Sequence, residues 1–387
     1  MRALVLGCGE MAQPAIDDLV NHGVFNRVTV ATRRPARAEA FLSAISAKHV
    51  RIEVVPVDVL DHGALLRLMK GHGVVCNLTG PNYQNAVAVA RAAIGTGIPL
   101  VDISDDWAAT VELLELHGDA VRAGITVVVG LGASPGITNI LARYGADKLD
   151  RVEEVRTSWI MRASDMGGVA LSKHLLYNNA HRAFVFERGA MREVRPFVDG
   201  QEIIDYPVLG PVEVRHIGHP EPFTLSRYIE GVRYADDKAT FLPVELNDLI
   251  LELGRVARSG YPVLIDGQAI DPMEFAANYL HQTCGRLAGV PQTGALRTEV
   301  RGEVGGRPVR LVYAAAGRIT IGTGIPASIG AMLLAIGRIG KPGVYPPEAC
   351  IDPELFLSAI DQRNIGTIEE SVCDWDREGR GVEMMPA

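Results

Sequence analysis

The residues whose spacing carries the most chemistry come first in the chain. Val5-Leu6-Gly7-Cys8-Gly9-Glu10-Met11-Ala12 runs a short apolar stretch into Gly-x-Gly-x-x-Ala. Gly7 permits a tight turn, Gly9 leaves the backbone bare for a pyrophosphate, and Ala12 is small enough for helix and strand to pack closely. The helix that follows aims unpaired N–H groups and the positive end of its dipole at the phosphates. Roughly 20 residues on, where such a unit reads the adenine ribose, stand Thr32-Arg33-Arg34 instead of a carboxylate. An Asp or Glu there would bond a 2′-OH and repel a 2′-phosphate, whereas two guanidiniums and a hydroxyl attract one. The pattern therefore points to NADP(H). NAD(H) stays open if Arg33 and Arg34 are solvated charges and another acid, such as Glu39, reads the ribose. Gly7, Gly9, Glu10, Met11 and Ala12 form the expected phosphate turn. Asp58 is expected beside the adenine, and Asn77, Leu78, Thr79 and Gly80 beside the nicotinamide half. Asp102 is either a ribose contact or structural.

These residues need a scaffold, and the first ~130 positions supply one by alternating short apolar runs with helical periodicity. Strands are expected at 4–6, 28–31, 52–57, 74–78, 99–102 and 125–129. Helices are expected at 13–22, 35–48, 61–70, with Asp61 as N-cap, and 85–95. This is a βαβ series, which predicts an α/β Rossmann fold: a doubly wound parallel sheet binding ligands at the carboxyl ends of its strands. A Gly/Pro loop at 131–139 leads into a helix at 140–148 and out of the nucleotide domain. The middle of the chain reads as α+β. Its clearest element is a hairpin of strands 296–304 and 308–316 around Gly305-Gly306, with one charged side expected to face solvent. A small-residue helix at 327–336 and a helix at 353–363 follow, then a loose tail over 374–387. The expected domains are 1–130, 131–322 (substrate binding) and 323–387, a C-terminal segment returning to the first.

Composition narrows the class. The 387 residues allow two domains, and the 48% hydrophobic and 22% charged fractions are ordinary for a globular chain. A net charge of −8 with no long basic run argues against nucleic acid. No stretch of 18 apolar residues occurs, so no transmembrane helix is expected. The five cysteines are scattered without a C-x-x-C pair, which fits a reducing cytoplasm and no structural zinc.

Four segments together resemble the saccharopine dehydrogenase family, which includes saccharopine reductases, lysine 6-dehydrogenases and carboxynorspermidine dehydrogenases. They are Val5-Leu6-Gly7-Cys8-Gly9, Asn77-Leu78-Thr79-Gly80-Pro81, Val101-Asp102-Ile103-Ser104-Asp105, and the run from Gly130 to Asn139. Thr323-Gly324-Ile325-Pro326-Ala327-Ser328 and Gly343-Val344-Tyr345-Pro346-Pro347-Glu348 are similar to that family's ending. The resemblance implies a Rossmann domain interrupted by an inserted α+β domain that binds substrate and mediates dimerisation, hence a homodimer. It also implies hydride transfer at a carbon–nitrogen bond of an amino-acid or polyamine-like substrate, through an imine. Two departures stand out. Gly132-Ala133-Ser134-Pro135-Gly136 replaces the reductases' Gly-Leu-Asp-Pro-Gly, and no cysteine lies near Asp165-Met166-Gly167-Gly168, where they carry Cys-Gly-Gly. The departures leave saccharopine itself in question. A lysine 6-dehydrogenase using NAD, or a non-catalytic NADP-binding sensor or scaffold, are the competing readings.

Imine chemistry needs a proton donor or acceptor, expected where the two domains meet. Asp165 could hold an iminium, or be a turn residue. His174, in an expected helix at 170–179, could exchange a proton, or pack. Tyr83, after Gly80-Pro81, could relay one. In Arg215-His216-Ile217-Gly218-His219-Pro220-Glu221-Pro222 the prolines break helical presentation and the spacing matches no standard metal motif, so no metal is expected. His219 or Glu221 would instead touch a polar substrate, with Arg227 and Arg233 as candidate clamps for a carboxylate.

Overall fold

The computed structural model describes residues 1–45, 49–180, 182–287 and 293–375. It divides into two compact units, Met1–Ile137 with Thr320–Asp352, and Thr138–Ile319 with the chain from Pro353 on.

The first unit carries β1 (Arg2–Leu6), α1 (Ala12–Asn21), β2 (Arg27–Thr32), α2 (Pro35–Leu42), β3 (Arg51–Pro56), α3 (His62–Met69), β4 (Val74–Asn77), α4 (Asn82–Thr96), β5 (Leu100–Asp102), α5 (Trp107–Glu115), α6 (His117–Ala123) and β6 (Thr126–Val128). Helix α7 (Ile137–Ala146) leads onward. Asp61 caps α3 by accepting from Ala64 N at 2.9 Å. Helix α2 ends earlier than its expected reach, and residues 46–48 lie outside the described residues.

The second unit follows with β7 (Arg151–Arg162), a 3₁₀ turn (Ala163–Asp165), α8 (Val169–Ala180), β8 (Ala183–Glu187), β9 (Ala190–Val194), β10 (Glu202–Tyr206), β11 (Gly210–His216), α9 (Glu221–Tyr228) and β12 (Tyr234–Leu242). Then come α10 (Glu245–Ala257), β13 (Val263–Ile265), β14 (Gln268–Ile270), α11 (Pro272–Leu287), β15 (Gly294–Val304) and β16 (Arg307–Gly317). The chain ends with α12 (Ile319–Ala335), β17 (Gly343–Tyr345), α13 (Pro347–Cys350), α14 (Pro353–Asp361) and β18 (Ile368–Asp374).

Seven parallel strands form the first sheet, in the order β17-β6-β5-β4-β1-β2-β3. The strand order reverses between β1 and β4, which opens a crevice at their carboxyl ends. The central strands are buried on both faces, as their unbroken Val/Leu/Ala runs require. Helix α12 starts earlier than its sequence suggests, with Pro326 inside it. Its small residues let it lie against α1: a Cβ on Gly324 would come within 2.6 Å of Met11 O.

The second sheet is mixed, β10-β11-β12-β7-β15-β16-β18, with β8 pairing β12 and β9. Two expectations are corrected here. The charged side of the β15–β16 hairpin is not solvated. β15 lies inside the sheet between β7 and β16, and Glu299 is 2% exposed, held by Arg297 at 2.6 Å and by Arg301. The C-terminal segment does not return as one piece. Residues to Asp352 complete the first unit, but β18 pairs β16 in the second. Of the expected tail, Asp374 closes β18 and Trp375 N donates to Pro308 O; 376–387 lie outside the described residues.

Candidate functional site

In the first unit the phosphate turn has the geometry its residues suggest. Gly7 has φ +97°, and a Cβ there would sit 2.7 Å from Leu78 O, so only glycine fits. A Cβ on Gly9 would meet nothing within 4 Å, so the space above this residue is open. Ala12 is fully buried at the start of α1. The α1 N-cap, Met11, offers no side-chain hydrogen bond to the helix, and Gly9 O accepts from Ala12 N at 3.0 Å and Gln13 N at 3.1 Å, closing the turn against the helix start whose positive dipole end favours an anion. Glu10 and Met11 flank the turn, half-buried.

Thr32 ends β2, and its Oγ1 accepts from Arg34 N at 3.3 Å. Arg33 and Arg34 are exposed, and among the described residues neither guanidinium has an ion-pair partner. Arg37, on α2, is also exposed and acts electrostatically on the Cys8 thiol: burial raises the thiol's pKa, and Arg37 opposes that rise. Arg37 is a member of this group that sequence reasoning missed, because it sits one helical turn beyond the strand end. Asp58 is exposed and accepts from Leu60 N at 3.0 Å, closing the turn after β3. These residues fit a dinucleotide: an open glycine turn at a helix start and, at the end of β2, two exposed guanidiniums without an ion-pair partner among the described residues.

At the carboxyl ends of β4 and β5 the side chains bond to one another. Thr79 donates through N (3.3 Å) and Oγ1 (2.7 Å) to Asn77 Oδ1, and Asn77 Nδ2 donates to Asp102 Oδ2 at 2.6 Å. Ser104 N donates to Asp102 Oδ1 at 2.7 Å. Asp102 is 1% exposed, and both of its oxygens accept within the fold. Leu78 is buried, with its N bonded to Leu6 O, and Gly80 precedes a cis Pro81. Tyr83 lies half-buried in the first turn of α4.

In the second unit Asp165 is corrected. It is fully buried, its Oδ1 accepts from Arg318 Nε (3.1 Å) and Nη2 (3.0 Å), and its Oδ2 accepts from Ile319 N (3.4 Å). Both oxygens are used in tying the 3₁₀ turn to the β16–α12 junction, so the carboxylate is a structural clamp, not an iminium ligand. His174 is buried in α8, with Nε2 3.1 Å from Asn178 Nδ2.

His219 and Glu221 are buried too, and the fold brings them to Asp237 of β12, a residue not singled out in the sequence. His219 Nδ1 lies 3.3 Å from Asp237 Oδ2 and 3.4 Å from Glu221 Oε2. Asp237 also accepts from Thr157 Oγ1 (2.7 Å) and Trp159 Nε1 (3.1 Å), and the His219 ring packs on Trp159 at 5.2 Å. Burial raises the Asp237 pKa, the negative Glu221 raises it further, and His219 opposes. One imidazole nitrogen and two carboxylate oxygens within 4.8 Å of one another form a donor set for a small cation. A proton shared between Asp237 and the imidazole relieves the repulsion of the two carboxylates and still leaves the group with a net negative charge. The signal available in the sequence was the run Asp236-Asp237-Lys238 inside a short stretch that is otherwise mostly apolar. Arg227 and Arg233 are exposed; Arg227 stacks on Tyr228 at 5.4 Å, and among the described residues neither bonds to the His219 group.

Comparison with known proteins follows the division into units. Residues 3–128 match the family model described as saccharopine dehydrogenase NADP binding domain. Saccharopine dehydrogenase [NADP(+), L-glutamate-forming] of Saccharomyces cerevisiae is 35% identical over 148 residues, which is 38% of this chain and 31% of that protein. Over nearly the whole chain, carboxyaminopropylagmatine dehydrogenase of Synechocystis sp. is 21% identical, covering 94% of this chain and 96% of that protein. The fold matches that of apo saccharopine dehydrogenase (L-Glu forming) from S. cerevisiae with a TM-score of 0.66 at 19% identity, covering 96% and 99% of the two chains. Among the described residues no helix is long and apolar enough to cross a membrane, and all five cysteines are free thiols.

Proposed function

We propose that this chain, an NAD(P)-binding oxidoreductase of the saccharopine dehydrogenase family, uses NADP(H) to transfer hydride at the carbon–nitrogen bond of a cationic amino-acid-derived or polyamine-like amine. The observation that carries the cofactor choice is the exposed pair Arg33 and Arg34 beside Thr32 at the end of β2, which have no ion-pair partner among the described residues. Two adjacent guanidiniums without an anionic partner repel each other, and a 2′-phosphate supplies that partner in bidentate geometry. An NAD-using lysine 6-dehydrogenase would lack that partner.

The nicotinamide supplies the hydride; the chain's own residues must hold the substrate's charge and move one proton. His219, Glu221 and Asp237 are the group we assign to that task, because two carboxylates against one imidazole leave an excess of negative charge suited to an ammonium or iminium. The name of the Synechocystis relative fits this choice, since an agmatine-derived amine is cationic. Tyr83 and His174 remain candidates for relaying the proton, and Arg227 and Arg233 for meeting a substrate carboxylate. The protein would work as a homodimer in the cytoplasm, like a small-molecule enzyme without nucleic-acid or membrane partners.

Steady-state oxidation of NADPH against panels of 2-keto acids or aldehydes paired with diamines and amino acids tests the reading. Turnover with an amine–carbonyl pair, lost at least a hundredfold in Glu221→Gln, is the expected result. NADPH binding without turnover of any amine, imine or carbonyl compound would favour the non-catalytic sensor.

A further inference from the structure

Three loops converge on one buried aspartate in the first unit, two of them on its carboxylate. The loop after β4 reaches it through Asn77 Nδ2 (2.6 Å to Oδ2), and the loop after β5 through Ser104 N (2.7 Å to Oδ1). The loop after β6 bonds to the same residue's backbone, Leu131 N donating to Asp102 O at 3.0 Å. The orientation of Asn77 is not free. Thr79 N–H can only donate, so it selects Oδ1 of Asn77 as acceptor and turns the amide's own donor toward Asp102. Both Asp102 oxygens thus face donors that cannot reverse, the Ser104 main chain and the fixed Asn77 amide. Only an ionised carboxylate accepts at both. An amide, or a protonated acid, turns one of its two ends into a donor.

The loop so fixed borders the phosphate turn. Leu78 N donates to Leu6 O at 2.9 Å, and a Gly7 Cβ would strike Leu78 O at 2.7 Å and approach Thr79 N at 3.3 Å. A shift of Leu78–Gly80 therefore changes the wall against which Gly7 turns. We propose that Asp102 is a positioning residue for the dinucleotide: its two carboxylate oxygens hold the loops after β4 and β5 in the shape that accepts the cofactor, and its protonation releases them. The proposal rests on the dinucleotide reading above but assigns Asp102 no contact with the cofactor.

The groups acting on Asp102 make this release reachable. Burial raises its pKa, Asn77 and Ser104 N lower it, and Asp106 and Asp105 raise it again, leaving it pushed up to about 6. The Cys76 thiol beside it on β4 is itself raised by burial and by Asp102, so it stays neutral throughout. Asp105 is held by Asn82 Nδ2 at 2.8 Å, and Asp106 caps α5 through Ala109 N at 3.2 Å. Their carboxylates act on Asp102 in the direction that favours its protonation.

Isothermal titration of the intact protein with NADP⁺ from pH 8 to pH 5 tests this. Affinity of the wild type should fall about tenfold with a midpoint near pH 6, the loss of one charge-assisted hydrogen bond. Asp102→Asn should bind at pH 8 about as weakly as the wild type at pH 5, with no midpoint near 6 beyond that of the ligand. The 2′-phosphate titrates in the same range, but equally for both proteins, so the difference between their profiles reads Asp102. Thr79→Val, a milder change that removes the Oγ1 bond to Asn77 but keeps the Thr79 N–H that orients it, should shift affinity the same way by a smaller factor. Parallel profiles for wild type and Asp102→Asn overturn the proposal. Absence of NADP⁺ binding by the wild type at pH 8 would overturn the cofactor reading instead.

Discussion

Around the crevice of the parallel sheet, Arg33, Arg34 and Arg37 stand exposed without carboxylate partners among the described residues, whereas a row of charges in the mixed sheet is matched. There Glu299 lies between Arg297 and Arg301, Arg301 reaches Glu154 at 3.0 Å, and Asp236 of β12 meets His216 at 3.2 Å and Lys238 at 3.5 Å. Asp236, Arg156 and Glu299 share one cross-strand row, so their signs alternate along it. Charges matched within the fold hold the fold. Charges left in solvent beside an open glycine turn are free to meet a ligand. The same residue type therefore does different work in the two units, and its partners, not its identity, decide which.

Mutations should separate the two kinds of charge. The largest effect is expected for Arg318→Ala, which leaves the buried Asp165 carboxylate with only the Ile319 N–H. Breaking such a pair costs about 3 kcal/mol, visible as a lower urea midpoint. NADP⁺ affinity measured well below that midpoint should not change, and a selective loss of binding would undo the division. Next comes the double change Arg33→Ala with Arg34→Ala. NADP⁺ affinity should fall roughly a hundredfold, because two charge-assisted hydrogen bonds to the phosphate disappear, while NAD⁺ affinity and stability stay nearly constant. Equal falls for both nucleotides would remove the 2′-phosphate assignment.

The smallest effect is expected for Asp236→Asn, about 2 kcal/mol at pH 7, and it carries a pH signature. Burial would raise the Asp236 pKa, but His216, Arg156 and Lys238 outweigh burial and hold it well below the usual range. A carboxylate with a depressed folded-state pKa stabilises fully above its unfolded value, near 4, and the stabilisation is lost as pH falls through the folded value. The gap in unfolding free energy between wild type and variant should be level from pH 7 to 5 and shrink below pH 4. A gap independent of pH would show that Asp236 acts by shape and not by charge.

The parallel sheet is legible in the sequence because its signals are local. Gly7, Gly9 and Ala12 do their work within six residues, and each βαβ step announces itself by periodicity. The helices α5 and α6, between Trp107 and Ala123, give no comparable signal, and the start of α12 is hidden because Pro326 reads as a boundary. The second unit's chemistry is illegible for a different reason. Asp237 meets His219 across two elements, and Asp165 meets Arg318 over 153 residues of chain. Such pairings depend on strand register, which neither spacing nor composition reports. In the sequence Asp165 looks like a free carboxylate beside glycines, and only its burial shows that it is spoken for.

The chain passes between the units three times, and β17 joins the first sheet's edge by pairing β6 more than 200 residues after that strand is made. This has a consequence for biosynthesis. A ribosome adding roughly 5–20 residues per second leaves the nucleotide-binding unit without its last strand, and α1 without the packing of Gly324, for on the order of ten seconds or more. During that interval β6 is an open edge, a template for mispairing. The module that looks most independent in the sequence is thus the one that must wait longest to close, and a fragment cut after β6 would inherit that exposed edge permanently.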